Sequence, residues 1–150
     1  WVDVMENPET TLLNLLRNNW SLSGNLAKDK IVWTRVDWAV QSTPKKPHII
    51  VHRGARTTRL QEEVEEFRFS IYVRPVIWAE NVAQIANAAD MQWQMIEEIK
   101  RIIHSAETPS GWKFMFVNQI INKTIMNVLP NIFEDIVEVI VEIEWRPENE

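Results

Sequence analysis

Apolar residues recur along this chain with two different periods, and each change of period marks an element. From Asn81 to His104 the spacing is helical. Val82, Ile85, Ala86, Ala89, Trp93, Ile96 and Ile103 share one stripe, the face that a helix lays on a sheet. Ala88, Met91, Met95 and Ile102 form a second stripe, with Ile99 between the two, and the polar arc is Ala83, Asn87, Asp90, Gln94, Glu97 and Arg101. A helix apolar on two sides needs two partners. The Trp93 stripe is expected on the chain's own sheet, and the Met91, Met95 and Ile102 stripe against a second subunit or the N-terminal helix. Asn81 and Gln84 have capping-box spacing, which satisfies free N–H groups of the first turn. Lys100, Arg101 and His104 suit the negative end of the helix dipole, and Pro109 with Gly111 stops the helix.

Elsewhere the period is two. Phe67, Phe69, Ile71 and Val73 alternate with Arg68, Ser70, Tyr72 and Arg74, a strand with one core face and one polar face, which Pro75 ends or kinks. Val137, Val139, Val141, Ile143 and Trp145 alternate with Glu138, Ile140, Glu142 and Glu144 in a closing strand. Ile31–Val40, His48–Arg53 and Trp112–Ile121 are also read as strands, rich in β-branched and aromatic residues. Asn122–Phe133 does not decide between strand and loop. Asn7-Pro8-Glu9 opens a short helix on Leu12, Leu13, Leu15, Leu16 and Trp20. Residues 1–6 are expected to be a loose arm and 146–150 a frayed tail. The order is helix, three strands, long helix, then two or three strands, in one domain. It predicts an α+β fold: a mostly antiparallel sheet with one short N-terminal helix and one long helix packed on one side.

Composition narrows the function classes. The chain has 150 residues, 45% hydrophobic and 25% charged, an ordinary globular balance. Its net charge of −5 argues against a protein that coats nucleic acid. The absence of cysteine removes disulfides and thiolate metal sites. No apolar run reaches the roughly 20 residues of a membrane span. The chain begins at Trp1, so its true start lies upstream or Met5 is the initiator. Eight tryptophans are unusual; aromatics gather both in cores and where subunits meet.

Candidate chemistry is sparse. His48 and His52 share a strand face, but four residues of strand set them about 13 Å apart, so they are expected as partly exposed strand histidines. His104 has no ligand neighbour, and no metal site is expected. Glu138, Glu142 and Glu144 look like a solvated strand face. No serine or histidine stands in a nucleophile-elbow context, and three glycines make no phosphate loop. No catalytic residue, cofactor or enzymatic activity is expected. Two Asn-X-Ser/Thr sequons carry no weight without a secretory signal. The one charged feature is Gly54–Glu66, which lacks apolar periodicity and reads as a long loop. Arg53, Arg56 and Arg59 form a basic cluster there, and Glu62, Glu63, Glu65 and Glu66 follow it. Such a loop is either a solvated charged segment or the functional surface, meeting a lumen, a partner or the next subunit.

The whole order of elements resembles a known family. A short helix precedes the strands VWTRVDW, PHIIVHR and FRFSIYVRP; the long helix follows, then GWKFMFVNQI and VEVIVEIEWR. Over roughly residues 8–146 this resembles the tail-terminator, or tail-completion, proteins of long-tailed viruses of bacteria and archaea. The resemblance implies a structural virion subunit, assembled in the host cytoplasm, that forms a homo-oligomeric ring, commonly a hexamer. The ring would cap the tail tube and meet the head-side connector, with DNA passing through and not held tightly, and with no membrane involved. It carries over no catalytic residues. Two other readings stand beside it: a cellular homo-oligomeric adaptor or ligand-binding α+β domain, and a nucleic-acid-binding module using Arg53–Arg59.

Overall fold

A computed structural model of the chain describes residues 6–37, 46–60, 65–122 and 131–145. Helix α1 spans Pro8–Asn19, followed by strands β1 (Val32–Thr34), β2 (His48–Leu60) and β3 (Glu65–Ala79). Helix α2 spans Val82–Ser105, and strands β4 (Trp112–Asn122) and β5 (Asn131–Trp145) close the chain. The five strands form one sheet in the order β1-β2-β3-β5-β4. Among the described residues only the β1–β2 pair is parallel. Both helices pack on the sheet and on each other, so the fold is the α+β arrangement that the periodicities predict.

The core follows the period-two reading. Phe67, Phe69, Ile71 and Val73 of β3 lie across from Ile143, Val141, Val139 and Val137 of β5, and all eight are buried. Val139→Ala is therefore expected to cost about 2 kcal/mol by lost burial and a cavity, read as a lower urea midpoint. Glu142→Ala, on the other face, should stay within about 0.5 kcal/mol. A larger loss at Glu142 would mean that the faces are reversed.

Several boundaries differ from the sequence reading. Of the expected Ile31–Val40, β1 holds Val32–Thr34 and the chain bends at Arg35 and Val36; residues 38–40 lie outside the described residues. β3 does not stop at Pro75 but runs to Ala79 as the central strand. Proline has no N–H to give, and the β3–β5 ladder skips Arg74 and Pro75 before resuming at Val76. The Pro75 carbonyl instead accepts a hydrogen bond from Gln92 Nε2 of α2, 2.9 Å away. β5 starts at Asn131, well before the clear alternation begins.

The largest correction concerns Gly54–Glu66. Most of it is not a loop: β2 continues to Leu60 and pairs with β3 as far as Leu60–Glu65, with an irregularity between Arg53 and Arg56. Backbone hydrogen bonding, which side-chain periodicity does not report, makes this stretch a strand. Gly54 sits at the irregularity, where any Cβ would overlap the Tyr72 ring.

Ion pairs tie the layers together. Glu9 accepts from the Arg53 backbone N–H at 2.6 Å and from the Arg35 guanidinium at 2.6 and 3.0 Å, linking α1 to β2 and to the bend after β1. Glu98 on α2 accepts from Ser21 N and Oγ and from Arg101, while Arg101 also donates to Asn19 O at the end of α1. Burial alone would raise both glutamate pKa values. For Glu9 the Arg53 amide and Arg35 outweigh it, and for Glu98 Arg101 and Ser21 do, so both lie below the usual carboxylate value. A carboxylate depressed by folding stabilises the protein fully above its unfolded pKa, and that contribution is lost as pH falls through the folded value. The urea midpoint should therefore drop between about pH 5 and pH 2, and Glu98→Gln should flatten that drop.

Candidate assembly surface

The orientation of α2 decides what the molecule shows to a partner. Asn81 Oδ1 accepts from Gln84 N, and Gln84 Oε1 accepts from Glu80 N, so the predicted cap forms with its return bond shifted by one residue. The helix then buries Ala88, Gln92, Met95, Ile96, Glu98, Ile99, Ile102 and Ile103. This divides the stripe expected on the sheet: Ile96 and Ile103 are buried there as expected, and its N-terminal part is not. Met95 and Ile102 are fully enclosed by this chain's own core and present no surface to a second subunit, and Met91 is half-buried beside a different cleft with Pro47 and Ala88. Of the stripe expected on the sheet, the Val82–Trp93 part is exposed: Val82 is 73% and Trp93 68% accessible, with Ala86 and Ala89 exposed between them. The sequence shows two apolar stripes, and the longer one is not the one buried along its whole length. The choice falls to the longer aliphatic side chains and to Gln92, which only this rotation brings to the Pro75 carbonyl.

Trp93 lines a cleft with Asn122, the last residue of β4, so the exposed stripe flanks that strand. β4 is an outer strand of the sheet and exposes Phe116, Ile120 and Ile121. Among the described residues, five of the six exposed large hydrophobic side chains therefore lie on α2 or β4; the other is Val36. Phe116 and Ile121 pair opposite Ile140 and Ile136, and Ile120 opposite Val137, so β4 exposes apolar side chains on both faces of this sheet margin, and exposed apolar side chains gathered at one margin mark a candidate interaction surface.

The opposite margin of the sheet is only partly covered, with the Arg53 N–H on it bonded to Glu9 of α1. β1 covers β2 only along His48–Ile50, and among the described residues no strand lies beside Val51–Leu60 on that side. Because β2, β3, β5 and β4 alternate in direction, repeating the subunit side by side sets β4 against the next copy's β2 in antiparallel sense. Antiparallel pairing is the favourable one at an edge.

The remaining sequence candidates fall as follows. Arg53 leaves 40% of its side chain accessible and shares Glu9 with Arg35. Arg56 and Arg59 lie on β2 with their backbones opposite Phe69 and Glu66; their side chains, and Glu62 and Glu63 altogether, are outside the described residues. His48 is buried, not partly exposed: its Nδ1 lies 2.6 Å from the Lys46 carbonyl and its ring packs edge-on against Trp78. Burial lowers its pKa, against the pull of that carbonyl. Asp37, isolated in sequence, pairs with Arg74. Glu138 accepts from Asn118 and Gln119. Among the described residues no group of three or more His, Asp or Glu is placed to hold a metal ion, and no helix is long and apolar enough to cross a membrane.

No protein-family model matches the chain, and no curated protein matches it either.

Proposed function

We propose that this protein is a structural subunit that closes into a homo-oligomeric ring, acting as a tail terminator between a tail tube and the head-side connector of a long-tailed virus. The observation that supports it best is the pair of sheet margins, β4 on one side and the part of β2 that no described strand covers on the other, the first flanked by the exposed Val82–Trp93 stripe. Two different, mutually complementary edges on one subunit make a heterologous contact, and such contacts close into a ring when the rotation per subunit allows. The element order that resembles tail terminators supports the specific role. No catalysis enters this reading: Glu9, Glu98 and Glu138 are each held by donors of their own chain, an arrangement that braces layers.

Negative-stain microscopy of the purified protein is the direct test. Closed rings with a central opening are expected, and DNA binding should be weak even at low salt. Discrete two-fold dimers would favour a cellular adaptor instead, and strong salt-dependent DNA binding would favour a nucleic-acid module.

A further inference from the structure

His48 opens β2 as a buried imidazole with one nitrogen satisfied and the other bare. Only 2% of the residue is accessible. Nδ1 lies 2.6 Å from the Lys46 carbonyl, which can only accept, so the ring carries its proton on Nδ1. Nε2 is then an acceptor, enclosed and without a hydrogen-bond partner among the described residues. The ring packs edge-on against Trp78, with centroids 5.1 Å apart, and stands across from Val76 on the face away from the helices. The charges on that face have other engagements. Arg74 of β3 is held between Asp37, after β1, and Glu134 of β5. β1 carries no titratable group, Lys46 brings only another cation, and His52 lies against Tyr72. A proton added to Nε2 therefore makes a buried cation without an acceptor, which the ring can keep only by reaching water.

The same imidazole sits where the sheet is held most lightly. β1 adds three residues to β2, pairing Val32, Trp33 and Thr34 with His48, Ile49 and Ile50, and Val32 N donates to the Pro47 carbonyl at 2.9 Å. We infer that His48 is an acid-sensitive latch on this margin: its neutral ring holds the Lys46–Pro47 turn to which β1 is bonded, and a proton taken up at Nε2 draws the ring out and frees β1. Burial favours the neutral ring and outweighs the pull of the carbonyl, so the pKa of the closed form lies below the ordinary histidine value. Closure is complete above that ordinary value and weakens as pH falls from it toward the closed-form pKa. Glu9 and Glu98, held below the usual carboxylate value, keep their charge over this range. Opening extends the uncovered part of β2 from Val51–Leu60 to His48–Leu60. A latch of this kind acts within one subunit, whether or not rings form.

The test is amide hydrogen exchange at Val32, followed by NMR on the whole chain at about pH 7.5 and about pH 5.5 and corrected for the intrinsic pH dependence of exchange. Protection there is expected to fall several-fold, with a ceiling of about tenfold set by an ordinary histidine pKa of about 6.5. Amides of the central ladder, such as Val139, should not change. His48→Gln keeps a donor for the Lys46 carbonyl and cannot take up a proton, so it should make Val32 equally protected at both pH values. Constant protection of Val32 in the wild type would overturn the latch. So would an equal fall in His48→Gln, or a fall shared by β3 and β5, which is global unfolding. Should His48→Gln not fold, the ring-nitrogen chemical shifts of wild-type His48 decide. Proton uptake that tracks the loss of Val32 protection supports the latch, and a ring protonated at about pH 5.5 with Val32 still fully protected overturns it.

Discussion

Met95→Glu is expected to unfold the protein, whereas Trp93→Glu, two residues away, is expected to leave the fold intact and abolish assembly. Met95 is wholly enclosed between α2 and the sheet. A carboxylate there has no cation among its neighbours in the apolar cluster, so it must lose its hydration or its charge. Either way the loss is on the order of 5 kcal/mol, comparable with the whole stability of an ordinary domain. Met95→Leu conserves volume and should cost less than about 1.5 kcal/mol. Trp93 projects mostly into solvent, so its replacement should shift stability by no more than about 0.5 kcal/mol. In an assembly that same position would place a charge in an apolar contact. Circular dichroism with urea titration separates the two outcomes. Equal stability of Met95→Glu and wild type would show that α2 is rotated the other way.

Arg74→Met is the second large effect. Arg74 lies on the central strand, on the face away from the helices, and bridges Glu134 of β5 and Asp37 after β1. Only 13% of the side chains of Arg74 and Glu134 is accessible, against 43% for Asp37. Burial opposes the charge on Arg74, but the two carboxylates outweigh it and hold its pKa above the ordinary value. Removing the guanidinium takes away the charge that neutralises a mostly buried Glu134, at about 3 kcal/mol; the exposed Asp37 limb adds little. Arg74→Met with Glu134→Gln should recover most of that loss in a urea titration. A double variant as weak as the single one would place the cost in packing and not in charge.

The elements that could be read in the sequence are those whose side chains report their surroundings. β3 and β5 alternate because one face lies under α2, and the caps of both helices are local chemistry, visible as Asn7-Pro8 and Asn81 with Gln84. What escaped has physical reasons. β2 beyond Arg53 is held by the backbone ladder to β3, which leaves no apolar signature. β5 begins early through Phe133 and Asp135, and the buried acid interrupts the pattern there. The rotation of α2 turned on Gln92, a polar residue on the buried face whose partner carbonyl belongs to a proline in the central strand. These departures from simple patterning meet in one place: Gln92, Phe133 and Asp135 line the same cleft. Local rules tend to break where a protein keeps a functional site.

A ring closed by two different edges of one subunit is tested most directly by the native mass of the intact protein. One dominant species is expected at a closed multiple of the 17.7 kDa chain, with six copies as the expected number, that collapses to folded monomer in Trp93→Glu. A wild type that stays monomeric over the whole concentration range, or a ladder of sizes with no terminal species, would contradict it.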